Sequence, residues 1–475
     1  MGYDKAKKLE KYKGKLKTTD FNIGYFLDAK LLGKTTANVT VDGYGLSLDN
    51  IDANLKGTIT DLDFKNYNYK NIIIEGEVAK KVFKGNLNVK DENIDFEFDG
   101  GVDYSQAIPQ FDFIASINRA DLSSLNLIHS NKKGVLETHM EVNLKGSDID
   151  NLTGEISFND LIYEQNNKTY KSNIIYIQSL IIDNVKTLNL VSDFAEGSIK
   201  GNFKVLELPI ALKQLMSNYL PEYFDKTSTY KNISPQSFDY EIEFRNSTDI
   251  TQLFAPMLTI ASSTTISGKF NSSSNYFSLQ GVSDKLTFGK LVFDNVNAKI
   301  DANKNLNYSF GCNKLFVTDS SWIEDFSING KAINDSLSCN INWENKSSEK
   351  NTGNIDAQLL FNPNDIIKLK IFPSQLVFED SVWNLQMDKE MIIDSNSISI
   401  TRLYCERYNE SISLSGIVSE NKNDKLKLTL SNFNIENLNF YTKSAGINLK
   451  GILDGESTVS DAFHNPLFLS KNEFK

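Results

Sequence analysis

Three histidines, His129, His139 and His464, and three cysteines, Cys312, Cys339 and Cys405, are the side chains in this 475-residue chain best suited to holding a metal or attacking a substrate. A zinc centre needs Cys, His or carboxylate ligands that converge, usually as pairs a few residues apart. No histidine here has a partner at such a spacing, and there is no Cys-x-x-Cys pair, so no metal is expected. Asp301-Ala302-Asn303-Lys304-Asn305 imitates the opening of a calcium loop. Its sixth position is Leu306 and its twelfth Cys312, where that loop requires glycine and a bidentate glutamate, so a turn is expected instead. Gly43-Tyr44-Gly45 starts like a dinucleotide fingerprint and fails at Leu48. No P-loop or nucleophile elbow occurs, and the carboxylates are scattered along polar stretches. The residues therefore predict neither an enzyme nor a cofactor. Three cysteines cannot all pair within one chain. A Cys312–Cys339 bridge is conceivable, but the favoured assignment is small apolar residues in a core.

Charge and composition narrow the class further. Lys and Arg number 50 against 61 Asp and Glu, a net charge of −11, so the basic footprint of a nucleic-acid binder is missing. With 40% hydrophobic and 11% aromatic residues the chain has enough apolar surface to fold. The first residues, Met1-Gly2-Tyr3-Asp4-Lys5-Ala6-Lys7-Lys8-Leu9-Glu10, contain no apolar run, and neither a signal peptide nor an anchor is read there. Residues 1–19 are expected to be a charged tail.

The elements that would position any site are strands. Ile94-Asp95-Phe96-Glu97-Phe98, Leu306-Asn307-Tyr308-Ser309-Phe310, Ile398-Ser399-Ile400, Ile412-Ser413-Leu414-Ser415 and Leu426-Lys427-Leu428-Thr429-Leu430 all alternate with period two. Each puts an apolar row on one face and a polar row on the other. Turn-forming clusters lie between such segments at 90–93, 301–305 and 420–424. The pattern predicts an all-β chain: a long curled antiparallel sheet forming an open hydrophobic groove, with one or two short amphipathic helices. At ~11 to 12 residues per strand and turn it would hold about 40 strands and extend on the order of 190 Å.

A loose pattern of apolar, any, Asn/Asp, apolar recurs at irregular intervals. It is seen at Phe64-Lys65-Asn66-Tyr67, Phe158-Asn159-Asp160-Leu161, Phe293-Asp294-Asn295-Val296, Ile323-Glu324-Asp325-Phe326 and Leu430-Ser431-Asn432-Phe433. Its placement suits a bulge or tight bend within a strand. A helix is expected from Ile210 to Tyr219, where Leu212, Leu215, Met216 and Tyr219 form one stripe that Pro209 can start and Pro221 should end or kink. A second helix is expected from Thr251 to Leu258. Both are read as core helices covering a sheet in preference to lids. The resulting division is a first β-groove section over 20–208, a helical connection over 209–235 and a second β-groove section over 236–475.

The succession Phe372-Pro373-Ser374 to Trp383, Ile398-Ser399-Ile400, Ile412 to Val418, Leu426 to Phe433, Leu449-Lys450-Gly451 and Leu453-Asp454-Gly455 resembles the translocation and assembly module (TamB) family, in the AsmA-like superfamily. Asn71-Ile72-Ile73-Ile74-Glu75-Gly76, Phe83-Lys84-Gly85 and Phe98-Asp99-Gly100 look like the repeating body of the same family. The resemblance implies a periplasmic bridge of outer-membrane biogenesis, attached to the inner membrane in the full-length protein. Such a bridge conducts phospholipid along a greasy groove and meets an outer-membrane barrel partner of the Omp85 type through a C-terminal domain. The anchor helix and that domain are missing from the pattern here, so the chain reads as a middle portion of a longer protein.

Physical chemistry supports such a groove. A long sheet with one apolar face cannot bury all of it against itself, and acyl chains can fill the remainder. The residues expected to line it are Phe96, Phe98, Tyr308, Phe310, Ile412, Leu414, Leu426, Leu428 and Leu430. Two other functions suit an alternating chain. One is a scaffold assisting assembly of outer-membrane barrels, and the other is a transmembrane barrel, against which the irregular strand spacing and the helix both argue.

Overall fold

The computed structural model describes residues 2–27, 30–47, 49–128, 133–224, 233–318, 321–346, 351–378, 381–439 and 446–474. The chain is all-β: 31 strands among these residues form an antiparallel sheet that does not close into a barrel, accompanied by four short α-helices. The count falls below the expected 40 because many strands run 12 to 15 residues, as in Lys168–Ile182 and Leu306–Thr318. Two compact units are present. One comprises Met1–Gly201 with Arg245–Phe254, the other Asn202–Phe244 with Ala255–Lys475.

Within each unit the strands follow one another as a meander, and the turns explain much of the asparagine. Asn166 and Asn167 (φ 53° and 61°), Asp183 and Asn184 (52° and 62°), and Asn334 and Asp335 (48° and 59°) place two successive residues in the left-handed region. Two-residue hairpin loops of this kind match the right-handed twist of the strands they join, and after glycine Asn and Asp tolerate them best. Phe64-Lys65-Asn66-Tyr67 is one of these hairpins, with φ 49° and 62° at Lys65 and Asn66, and not the bulge expected there.

The other four copies of the repeat do interrupt strands. Asp160, Asn295, Asp325 and Asn432 have φ of 49°, 53°, 46° and 46° in mid-strand. A register shift falls between Leu430 and Phe433. The extra residue lets two apolar side chains three apart share a face, where period two would put them on opposite sides. Leu430 packs against the cluster that holds Phe433 and Trp383, and Phe293 against the one that holds Val296 and Leu315. Asp20 performs the same operation in the strand Leu9–Asn22, whose register shifts between Thr18 and Phe21.

That strand corrects the expectation of a charged tail. Leu9–Asn22 pairs with Leu32–Tyr44 along most of its length, and Gly2–Asp4 pairs with Leu9 to Lys11. Lysines at every second position do not oppose a strand, because alternation sends all of them to one face.

The helix stripe is realised as Leu208–Ser217, with proline in its first turn. Pro221 begins a new turn of helix, Pro221–Phe224, where its missing N–H costs nothing. In the second unit Ala211, Leu215 and Tyr219 are buried on Phe270, Phe277, Ala302, Leu306 and Ala332. The Tyr219 hydroxyl donates to the carbonyl oxygen of Asn303 (2.7 Å) and lies 3.3 Å from that of Asn275, which sets the end of the helix over two hairpin ends. The Asp301 to Asn305 segment is thus a strand end and a turn. The other predicted helix is Thr248–Phe254 in the first unit; it stops short of Leu258, which opens the strand Leu258–Ile260, because Pro256 cannot continue it. Pro373 likewise breaks a strand, separating Ile366–Ile371 from Ser374–Phe378, both of which pair with Asn351–Asn362.

Candidate functional site: the apolar face

Residues directly opposite one another on antiparallel strands share a face, so the register traces each face across the sheet. In the first unit Phe98 lies opposite Leu87 and Ala115, Leu87 opposite Ile74, and Ala115 opposite Met140. Phe96 lies opposite Val89 and Ile117. The ring of Phe98 is 4.9 Å from that of Phe113 and 6.2 Å from that of Phe83. The alternate residues, Glu75, Asn86, Glu97 and Ser116 among them, occupy the other face.

In the second unit Tyr308 stands opposite Ile300 and Gly330, and Phe310 opposite Ala298 and Ile328. Ile412 stands opposite Cys405 and Leu430, Leu414 opposite Leu403 and Leu428, and Leu426 opposite Gly416 and Val459. Register therefore places Ile412, Leu414, Leu426, Leu428 and Leu430 together on one face of neighbouring strands. Lys427 projects from the opposite face and pairs with Glu456 at 2.5 Å.

These positions differ in cover. Tyr308 packs against the core beneath the helix Leu208–Ser217, so at that station the sheet is covered by the chain itself. Phe310 belongs to a separate cluster around Val296, Cys312 and Leu315. Ile412 and Leu430 border a third, formed by Leu376, Trp383, Phe433 and Ile435. Leu428 retains 38% of its surface in solvent, although it lies on the same face as these buried residues. The apolar face thus combines sealed stretches with open ones.

Titratable groups report how dry this face is. Burial pushes the Tyr240 hydroxyl up to about 12 and the Cys312 and Cys405 thiols up to about 11, with Asp294 and Glu406 adding to the two thiol shifts. Tyr308 is raised as well, first by burial and then by Cys339. The three cysteines are free thiols, so the conceivable Cys312–Cys339 bridge is not formed.

Alternation alone does not reveal the members of the face that lie beyond a bulge or a break. Trp383 and Phe433, 4% and 3% exposed, form the best-buried part of the third cluster, their rings 6.1 Å apart. Phe433 follows Asn432, so the Asn-centred repeat is the signal that places it. Tyr240 also escapes the sequence reading; its hydroxyl donates to the Ser278 carbonyl at 3.0 Å across Gly268.

Among the described residues no group of three or more His, Cys, Asp or Glu side chains is placed to hold a metal. His139 Nδ1 is 3.0 Å from the Ser116 hydroxyl and His464 is 3.4 Å from Asp461, while His129 lies outside the described residues. No helix among those residues is long and apolar enough to cross a membrane. Comparison with family models, curated proteins and solved structures returns no match to this chain.

Proposed function

We propose that the apolar face of this sheet binds acyl chains and serves as a conduit for phospholipid in outer-membrane biogenesis, as the resemblance to the TamB family implies. On this reading the protein is a periplasmic, non-enzymatic bridge with a barrel partner at the outer membrane. The observation that carries the reading is Leu428, an apolar side chain 38% exposed on the face it shares with Leu414, Leu426 and Leu430. Leu414 and Leu426 flank it across and along the strand. An acyl chain laid along such a row leaves water at a gain of ~0.8 kcal/mol per methylene, while its headgroup stays in solvent. No bond is made or broken, so no catalytic side chain is required.

A photo-crosslinking residue at position 428, compared with the same residue at 427, tests this. Capture of phospholipid at 428 and little at 427 is the expected result. Equal capture at both, or at neither, overturns the conduit.

A further inference from the structure

Two isoleucines on the polar face of the first unit break the alternation that accounts for their neighbours. Ile73 and Ile114 are 57% and 58% exposed. Register fixes the side each occupies: Ile73 stands opposite Thr58 and Asn88, and Ile114 opposite Asp99 and Glu141. Both therefore lie on the face of Glu75, Glu97 and Ser116, away from the rings of Phe96 and Phe98. Threonine would serve a wetted strand position as well, so the sheet itself does not call for isoleucine at either place. A cleft of about 360 Å³ lies between them, with Asn88, Glu97 and Asp99 in its lining.

The charges along this cleft are negative wherever they are unpaired. Lys56 neutralises Glu75 at 2.8 Å. Glu97 accepts a hydrogen bond from the Asn88 amide at 3.0 Å, and neither Glu97 nor Asp99 has a cationic partner among the described residues. Lys84, on the adjoining strand, lies across Gly101. Glu141 places a further carboxylate beside Ile114, and His139 is engaged with the Ser116 hydroxyl.

Spacing narrows what can fill the cleft. The two isoleucines are separated by three strand spacings across the sheet and two residues along it, ~16 Å in all, with Glu97 and Asp99 on an intervening strand. In an extended segment alternate side chains share a face, so residues i and i+4 span ~14 Å with i+2 between them. Apolar side chains at i and i+4 would cover the isoleucines while Lys or Arg at i+2 meets the two carboxylates. The phosphates of a bilayer or a nucleic acid would face charge of their own sign, and a metal ion would give the isoleucines no role.

We propose that this cleft docks an extended basic segment of a partner protein, apolar at i and i+4 with Lys or Arg at i+2. It lies on the face opposite Phe96 and Phe98, so the docking stands apart from the acyl-chain conduit, and either can fail without the other.

The probe is a fluorescently labelled peptide, Gly-Ser-Leu-Thr-Arg-Thr-Leu-Ser-Gly, whose anisotropy is followed as the full chain is added. It should bind saturably at low salt and weaken as salt is raised. Exchanging its Arg for Glu, or both Leu for Ser, should each weaken binding on the order of tenfold. In the protein, Glu97→Gln with Asp99→Asn should bind about tenfold more weakly and lose most of the salt dependence. Ile73→Thr with Ile114→Thr should lose about as much with the salt dependence intact. A control pair in the second unit, Glu241→Gln with Glu243→Gln, should bind as the parent does. Absence of saturable binding, equal binding of the three peptides, unchanged binding by either cleft pair, or an equal loss in the control pair each overturns the proposal. Circular dichroism of every variant checks that the sheet is retained; if a cleft pair unfolds, Asp99→Asn alone or Ile114→Thr alone, each at an exposed side chain, must reduce binding in its place.

Discussion

The hydroxyl of Tyr308 donates to the carbonyl of Ser338, 2.9 Å away, by crossing over the strand that lies between them. Gly330 occupies the crossing point, and a Cβ there would meet both the Ser338 oxygen and the Tyr308 hydroxyl. Tyr240, Gly268 and Ser278 repeat the arrangement in the same unit. In both, a tyrosine lies flat on the sheet because the residue opposite has no side chain, and its oxygen finds a partner without leaving the apolar face.

Gly330→Ala should therefore destabilise the protein by about 1 to 3 kcal/mol, as overpacking does. Tyr308→Phe, which removes one hydrogen bond, should cost about 1 kcal/mol. Because both changes act on the same contact, their sum should exceed the cost of the double variant. Urea unfolding of the four proteins measures this; strict additivity would show that the tyrosine and the glycine are not coupled.

The raised hydroxyl pKa of Tyr240 gives alkaline stability a definite sign. In the unfolded chain a tyrosine ionises near 10, while in the folded protein this one holds its proton to about 12. Its contribution is complete below pH 10 and is lost as pH rises from 10 through about 12. Unfolding midpoints should decline across that window, and Tyr240→Phe should flatten the decline. A variant with the parent's pH slope would show that other groups govern it.

Cover along the apolar face predicts unequal mutational costs. Phe433, 3% exposed beside Trp383, should cost about 3 to 5 kcal/mol as Phe433→Ala. Leu428→Arg should cost less than about 1 kcal/mol, since an arginine at a side chain already 38% in solvent can extend its head to water. It should nonetheless obstruct acyl chains. Thermal unfolding together with lipid capture separates the two effects, and collapse of the Leu428→Arg protein would mean that this part of the sheet is closed.

Asn432 holds a left-handed φ of 46° in mid-strand, and its side-chain amide donates to the Asn409 carbonyl at 3.4 Å. Asn432→Val should cost about 1 to 2 kcal/mol, because a β-branched residue is strained there. Asn432→Gly should restore most of the loss. Denaturation midpoints of the pair provide the check, with equal loss in both variants pointing to the amide contact instead of the backbone.

Much of the architecture is legible because period-two alternation survives in the sequence wherever a strand has one wet and one dry face. That signal alone groups Ile412, Leu414, Leu426, Leu428 and Leu430 on one face, as the register does. It fails at bulges, where Leu430 and Phe433 share a face three residues apart, and in Leu9–Asn22, where the density of charge in residues 1–19 hides the periodicity. Tyr308 reads as open because a sequence does not state which strands a helix will cover. Tertiary packing of Leu215 and Tyr219 on the sheet, not strand propensity, determines that.

The strand order has a consequence for how such a protein can change length. Among the described residues a strand in this meander bonds chiefly to its neighbours in the chain, apart from the interruptions around Leu258–Ile260 and Pro373, so few strands wait for a more distant partner to complete them. Inserting or deleting one whole hairpin moves the remaining strands along without altering their register or which side each residue faces. The molecule can therefore be lengthened or shortened in units of two strands, and relatives of different span need share only the hairpin grammar of alternating rows, Asn-rich turns and Asn-centred bulges. Sequence similarity could then fade while the construction rule persists.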